Sequence, residues 1–353
     1  EKNLRGSREG FTESNNTNTA MVRRRLKSPN LTVETLYLGR QSRTNVRLCY
    51  LSDVAAPETV ETVRQKLREA SLPLVLDSGF LQAFIGKRAA SLFSGTGTTQ
   101  RPDTLCAKLT EGRVGVMVDG SPNVMIAPYL FTEHFHTLDD YNQRPYFTAF
   151  VRLLRLAAFF LTVLLPGYYV AVVTFHPERI PRMLLPAFLG SVSATPLSAM
   201  GEALALFLLY ELLREAGLRL PDAIGHTLSV VGGIVIGDAI VTAGLVGLPM
   251  IIIIALTAVS AFAVPSLYEP VTILRFLFIF IGGILGLFGM VLVVTLCSLH
   301  TLGTPLTAPI APWQPRTLRD LFWRSSWQRL GQEDYNVSSA RQRERGQTDD
   351  QDA

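Results

Sequence analysis

The sequence predicts a soluble α/β N-terminal domain followed by a polytopic α-helical membrane domain, and three observations carry that expectation. Of the 353 residues, 48% are hydrophobic and only 18% charged, where soluble domains carry about 25% charged residues. The long charge-free stretches, 156–177, 183–201, 239–268 and 276–315, all lie after Arg155. Before Arg155, short β-rich runs alternate with helical periodicity. The expected division is a soluble cytoplasmic domain at 1–150, a membrane domain at 151–312 and a cytoplasmic tail at 313–353. From about residue 333 the tail holds no apolar run and is expected to be disordered.

In the first domain, LTVETLYLG at 31–39 and VRLCYL at 46–51 have the β-branched composition of strands. Pro57 then opens a helix in which Val60, Val63, Leu67 and Ala70 share one face. LPLVLDSG at 72–79 predicts a buried strand ending in a turn, and SGTGTTQ at 94–100 a flexible loop. The run VGVMVDGSPNVMIAP at 114–128 is apolar on both sides of Asp119-Gly120, the strongest hairpin signal in the chain. Strands alternating with helices leave α/β and α+β both open.

A helix needs about 20 apolar residues to cross the hydrocarbon core of a bilayer. Four spans are expected: 156–176, which tolerates Pro166, then 224–246, 247–268 and 271–299. The segment 183–213 contains Pro186, Pro196, Glu202 and Glu211, with Leu204, Phe207, Leu208 and Leu212 opposite the glutamates. It predicts an amphipathic interfacial or re-entrant element, with Glu202, Glu211 and the later Arg275 at the water interface. Arg144, Arg152 and Arg155 precede the first span, and Arg316, Arg319, Arg324 and Arg329 follow the last. Both ends therefore face the cytoplasm, which requires an even number of crossings. Four satisfies that parity; Arg179 and Arg182, just after the first span, weigh against it, and six is the next number allowed.

The net charge of +4 is too small and too evenly spread for a nucleic-acid binder. Cys49, Cys106 and Cys297 are few and far apart, so neither a disulfide framework nor a zinc site is expected, and no cofactor is implied. SGTGTTQ lacks the spacing and lysine of a phosphate loop. His134 and His136, beside Glu133, Asp139 and Asp140, have a spacing that suits metal ligands on a strand. Nothing else converges on them, and an exposed polar junction is the expectation. Ser78 and Ser121 lack a nucleophile signature, so the chain is expected not to be an enzyme. Arg23, Arg24, Arg25 and Lys27 fit a solvated helix face as well as a contact with anionic lipid or nucleic acid. Asp238, within the span 224–246 and near Thr242, is the sharpest intramembrane polar candidate, since an ionisable group there costs about 3 kcal/mol unless it faces protein or water. Gly233 with Gly237, and Gly282 with Gly286 and Gly289, predict close helix packing.

Many short segments taken together resemble, in order, the A subunit of the GerA-type spore germination nutrient receptors. They include EGF at 9–11, RRRLKSP at 23–29, GRQSRT at 39–44, LDSG at 76–79, RPD at 101–103, EGRVGVMVDGSP at 111–122 and DDYNQR at 139–144. RLLRL at 152–156, HPERIP at 176–181, REAGLRLP at 214–221, IVIGDAIVTAGLV at 234–246 and TPLTAPIAP at 304–312 continue the series. The resemblance implies a multi-pass subunit of the inner spore membrane that works with a B and a C subunit. It also implies self-association into an ion channel that opens on nutrient binding and starts germination. Family members carry a further soluble segment before the EGF motif. A chain starting at Glu1 is therefore expected to be a fragment. The rival expectation is a secondary transporter of amino acids or ions, which the proline-broken first span would suit, although no paired halves appear.

Overall fold

The computed structural model describes residues 7–86, 93–219 and 237–302, with side chains as far as residue 299. Most of the expected span 224–246, Gly233, and everything from residue 303 onward, including the expected tail, lie outside the described residues. The described residues form two compact units, one ending at Arg152 and the other beginning at Leu153.

The first unit is built on a five-stranded sheet of order β1-β2-β4-β5-β3. The strands are β1 (Leu31–Leu38), β2 (Thr44–Leu51), β3 (Gly97–Thr99), β4 (Val114–Val118) and β5 (Val124–Ala127). Every pairing is antiparallel, so the α+β alternative is the one realised. The helices are α1 (Asn15–Arg25), α2 (Pro57–Glu69), α3 (Gly79–Ile85) and α4 (Pro102–Thr110). Alternation along the strands separates two cores. Val46, Leu48, Val114, Val116, Val118 and Met125 pack with Val60, Val63 and Leu67 of α2 and Leu81 of α3. Cys49, Met117, Val124 and Ile126 point the other way, toward Val22 of α1 and Leu105 and Leu109 of α4. The sheet is covered on both faces, which is why β4 and β5 are apolar at nearly every position and wholly buried.

The strands at 31–38 and 44–51, the helix opened by Pro57 and the hairpin about Asp119-Gly120 match the sequence expectations. Two expectations fail. Residues 72–78 are not a strand: Pro73 has no N–H to give to a ladder, and the carbonyls of Leu72 and Pro73 instead accept the N–H groups of Arg40 and Gln41 at 3.0 and 2.9 Å. Val75 is tied to side chains, its N–H to the Ser42 hydroxyl at 3.1 Å and its carbonyl to Thr44 at 2.6 Å. The tract at 94–100, expected as a loop, contributes Gly97–Thr99 as an edge strand against Val124–Ile126. A long-range pairing decides that element, and local composition carries no sign of it.

The second unit is helical: α5 (Pro145–Phe175) continues into it, followed by α6 (Leu185–Ser193), α7 (Ala199–Arg219), α8 (Leu248–Ala261) and α9 (Tyr268–Leu302). The helix expected at 156–176 begins earlier, with Pro145 in its first turn, where a missing N–H costs nothing. The element expected at 183–213 is two helices broken at Pro196, with the Ser198 hydroxyl accepting the Gly201 N–H at 3.2 Å to cap α7. The span expected at 247–268 is cut short. Its helix has 14 residues, roughly 21 Å at 1.5 Å per residue, and stops before the short 3-10 turn Pro265–Leu267. α9 covers the expected 271–299 but bends at Gly286, whose φ of 61° and ψ of −152° are open to glycine alone. Pro145–Phe175 and Pro265–Leu299 are long and apolar enough to cross a membrane.

Candidate functional site

The polar residues at 133–140, expected as an exposed junction, form a buried network. Two short 3-10 turns, Phe131–Phe135 and Leu138–Asn142, bring their carboxylates against α4 and the start of α5. Glu133 accepts the Leu130 N–H at 2.7 Å, Lys108 Nζ at 2.9 Å and Arg113 Nη2 at 3.2 Å. Burial alone would raise its pKa, but Arg113 and Lys108 outweigh burial and hold the carboxyl at about 2. Glu111, on the same lysine at 2.8 Å, moves the opposite way because burial dominates there. Burial also pushes His134 down to about 4, so its ring is neutral at pH 7.

The acidic pair that follows divides its work. Asp139 accepts Arg101 Nη1 at 3.1 Å, and Arg101 also grips Asp103 at the start of α4 through Nη2 at 2.7 Å. Asp140 accepts the N–H and hydroxyl of Thr137 at 3.2 and 3.0 Å. Its carboxylate faces Arg152 Nε at 3.4 Å, with both side chains almost fully buried. The Asp140 carbonyl takes the Thr148 hydroxyl at 2.8 Å. DDYNQR thus fastens the first turns of α5. Among the described residues no group of three or more His, Cys, Asp or Glu side chains could hold a metal ion.

The segments LDSG and DGSP also meet. Ser121 and Ser78 are buried, and both hydroxyls donate to Asp77, Ser78 at 3.2 Å. The Ser121 bond, opposed by burial and helped by Ser78, holds the Asp77 carboxyl below the usual carboxylate range. This is a loop-to-loop tie rather than a nucleophile and its base. Arg24 and Arg25 are not simply a solvated face, since both reach Glu9, Arg25 at 2.7 Å.

In the helical unit α7 does not divide into the two faces the sequence suggests: of the apolar set, Phe207 is fully buried and Leu204 packs against the core. Leu208 and Leu212 are 57% and 60% exposed, while Glu202 is fully buried. Glu202 accepts the Thr195 hydroxyl and, at 3.4 Å, the Gly247 N–H. Glu211 binds Arg214 Nε at 3.0 Å, the Tyr268 hydroxyl and Arg275 Nη1 at 3.5 Å. Arg275 is fully buried. Of these partners Thr195, Arg214, Gly247 and Tyr268 carry no local signal in the sequence. Arg275, expected at the water interface, stands in the sequence as the charge just before the apolar stretch 276–315.

Gly282 meets Gly167 of α5, and Gly286 lies against the Phe175 ring. The neighbourhood of Gly289 is side chains of its own helix, Ile281 and Leu285. Gly237 has open space around it, and Asp238 and Thr242 are exposed on a helical stretch at 237–242.

Residues 1–334 match the family model described as Bacillus/Clostridium GerA spore germination protein. The chain is 38% identical over 331 residues to spore germination protein KA of Bacillus subtilis (strain 168), covering 92% of this chain and 61% of that protein. It is 38% identical over 336 residues to spore germination protein XA of Bacillus anthracis, covering 92% and 68%. With a protein of Bacillus subtilis (strain 168) named uncharacterized membrane protein YfkQ it shares 37% over 334 residues, covering 93% and 65%. The chain thus spans about three fifths to two thirds of the length of these relatives. A solved structure, the N-terminal domain of the A subunit of the Bacillus megaterium spore germinant receptor GerK3, is 38% identical, with a TM-score of 0.30, covering 35% of this chain and 98% of that one. With a family model matching nearly the whole chain and relatives above one-third identity, the chain belongs to the GerA spore germination protein family.

Proposed function

We propose that this chain is the membrane-spanning, non-enzymatic A-type subunit of a spore germinant receptor in the inner spore membrane, with both termini cytoplasmic. In this proposal it associates with itself and with B and C subunits to form an ion channel that nutrients open. The observation that carries the membrane part is a pair of helices long and apolar enough to cross a bilayer, in a unit that buries charges beside its apolar core and exposes large apolar side chains. Glu202, Glu211 and Arg275 turn inward, while Leu208, Leu212, Ile252, Phe280 and Phe288 turn outward, Phe288 with 77% exposure. Water drives the opposite arrangement, and lipid favours this one.

The channel part rests on the family and on Asp238 and Thr242. These are polar side chains exposed on a helical stretch, as the lining of a hydrated path requires. The glycines Gly233, Gly237, Gly282, Gly286 and Gly289 serve as close-packing positions in this proposal. The test is ion flux from reconstituted oligomers of the full-length protein. Asp238→Asn, and bulk at Gly237 or Gly286, should each alter conductance and the germination response. Unchanged flux and germination in all three variants would remove the pore assignment, and uptake of a labelled amino acid without conductance would favour the transporter.

A further inference from the structure

The first unit keeps its large apolar side chains inside, with one concentrated exception. Leu74, Leu76, Phe80 and Phe84 are between 39% and 59% exposed, and among the described residues before α5 Tyr37 is the one other large apolar side chain so placed. Val75, Leu81 and Ile85, interspersed with them, belong to the core. The inward side of this stretch is therefore already packed, while its outward side is apolar and uncovered. Exposed apolar surface concentrated in this way marks an interaction site.

The same stretch is polarised along its length. Asp77 stands just before α3, and Asp119 lies beside it, since a Cβ on the neighbouring Gly120 would fall 3.7 Å from the Leu76 carbonyl oxygen. Both aspartates are exposed. At the other end of α3, Lys66 Nζ donates to the carbonyls of Ile85 and Gly86 at 2.8 and 3.0 Å, and Lys87 and Arg88 follow in the sequence. Acid thus precedes the phenylalanines and base follows them. Gly79 and Ala83, also exposed, are set beside Phe80 and Phe84 at the same helical spacing.

A surface that runs acid, apolar, base fits a reversed copy of itself. With two α3 helices antiparallel about a two-fold axis, Phe80 can sit over Ala83 and Phe84 over Gly79 across the axis, so bulk meets a small residue each time. Each acidic end then meets a basic end, whereas a parallel pair sets like charges together. An isologous contact requires this reciprocity. An anionic lipid surface fits less well, because its headgroups would meet Asp77 and Asp119 as well as the bases. We propose that the face from Leu74 to Phe84 is a self-association surface on which two copies of the chain pack α3 against α3, antiparallel about a two-fold axis. The patch is small, and confinement of both copies to one membrane supplies the effective concentration that its area alone would not.

The inference rests on the self-association proposed above and names one of its surfaces. The test uses the full chain in proteoliposomes, with Cys297→Ser as background because Cys49 and Cys106 are already buried. Ala83→Cys is oxidised with diamide beside Thr17→Cys, an exposed position on α1, which packs on the opposite face of the sheet. Ala83→Cys should give several-fold more disulfide-linked dimer than Thr17→Cys, and adding Phe84→Asp, a change at an exposed position, should return the yield to that of Thr17→Cys. A yield from Ala83→Cys no higher than from Thr17→Cys, or one that survives Phe84→Asp, would overturn the surface. Light scattering of the detergent-solubilised chain separates the two ways of failing: an oligomer without the α3 cross-link removes this surface alone, and a monomer removes self-association with it.

Discussion

Gly167 and Gly282 lie backbone to backbone where α5 and α9 cross. A Cβ on Gly282 would fall 2.5 Å from the Gly167 carbonyl oxygen, and a Cβ on Gly167 would fall 2.5 Å from that of Phe278. No real Cβ contact is that short, and the obstructing atoms are backbone, so neither helix has a flexible group to move aside. Small residues at such crossings let dispersion contacts form that a larger pair would prevent.

Gly167→Ala and Gly282→Ala should therefore each destabilise the helical unit, by about 1–3 kcal/mol as overpacking does. The double variant should cost less than the sum of the two, since one displacement relieves both clashes. Thermal unfolding of the detergent-solubilised protein measures this. Additive effects would mean that the two glycines do not share a contact.

Gly286→Ala tests a different mechanism, backbone conformation. With φ of 61° and ψ of −152°, an alanine there should cost on the order of 1–3 kcal/mol. Alternatively, it should straighten α9, visible as altered cysteine cross-linking on either side of the bend. Wild-type stability together with wild-type cross-linking would contradict the bend.

Glu202→Ala should strip partners from the Thr195 hydroxyl and the Gly247 N–H. Leaving a buried polar group unsatisfied costs about 1–3 kcal/mol. Glu202→Gln, which keeps one acceptor oxygen, should cost clearly less. Hydrogen exchange at residues 194–202 and 247–250 reports the loss, and equal exchange in both variants would show that the carboxyl ties nothing there.

Breaking the Asp140–Arg152 pair should be severe, because both partners are almost fully buried. Arg152→Ala removes one buried partner of the Asp140 carboxylate and should cost about 3–5 kcal/mol. Asp140→Asn keeps the packing and should cost less. In spores, Arg152→Ala should lower the amount of the protein or abolish the response to nutrient. A normal amount and a normal response would remove the pair from the fold's essential contacts.

Stability of the first unit should fall as pH drops below neutrality. His134 is held at about 4, below its ordinary 6.5. Above pH 6.5 neither the folded nor the unfolded state binds the proton and the group contributes nothing. Below it, the unfolded state gains the proton first, so stability falls steadily until about pH 4. At pH 5 the loss is about 2 kcal/mol. Glu133, held at about 2 against an ordinary 4.5, adds a loss that begins near pH 4.5 and continues downward. Urea titrations of the full chain at pH 7, 6 and 5 measure the slope. His134→Gln should flatten it between pH 7 and 5, and an unchanged slope would show that another group titrates.

The sequence by itself determined where charges are excluded, which runs alternate, where the chain turns back at Asp119-Gly120, and the ordered segments that mark the family. Each of these is local, or a sum of local features. The tertiary structure decided the rest. Gly97–Thr99 became a strand only because the edge of β5 was there to pair with it. The carboxylates at 133–140 were buried because Lys108, Arg113, Arg101 and Arg152, distant in sequence, converged on them. On α7 the helical period located two opposed faces but not the medium each would meet. Periodicity records the angle between apolar and polar residues and is the same in water and in lipid. Only the packing around α7 showed that Glu202 is buried beside Phe207 while Leu208 and Leu212 point out.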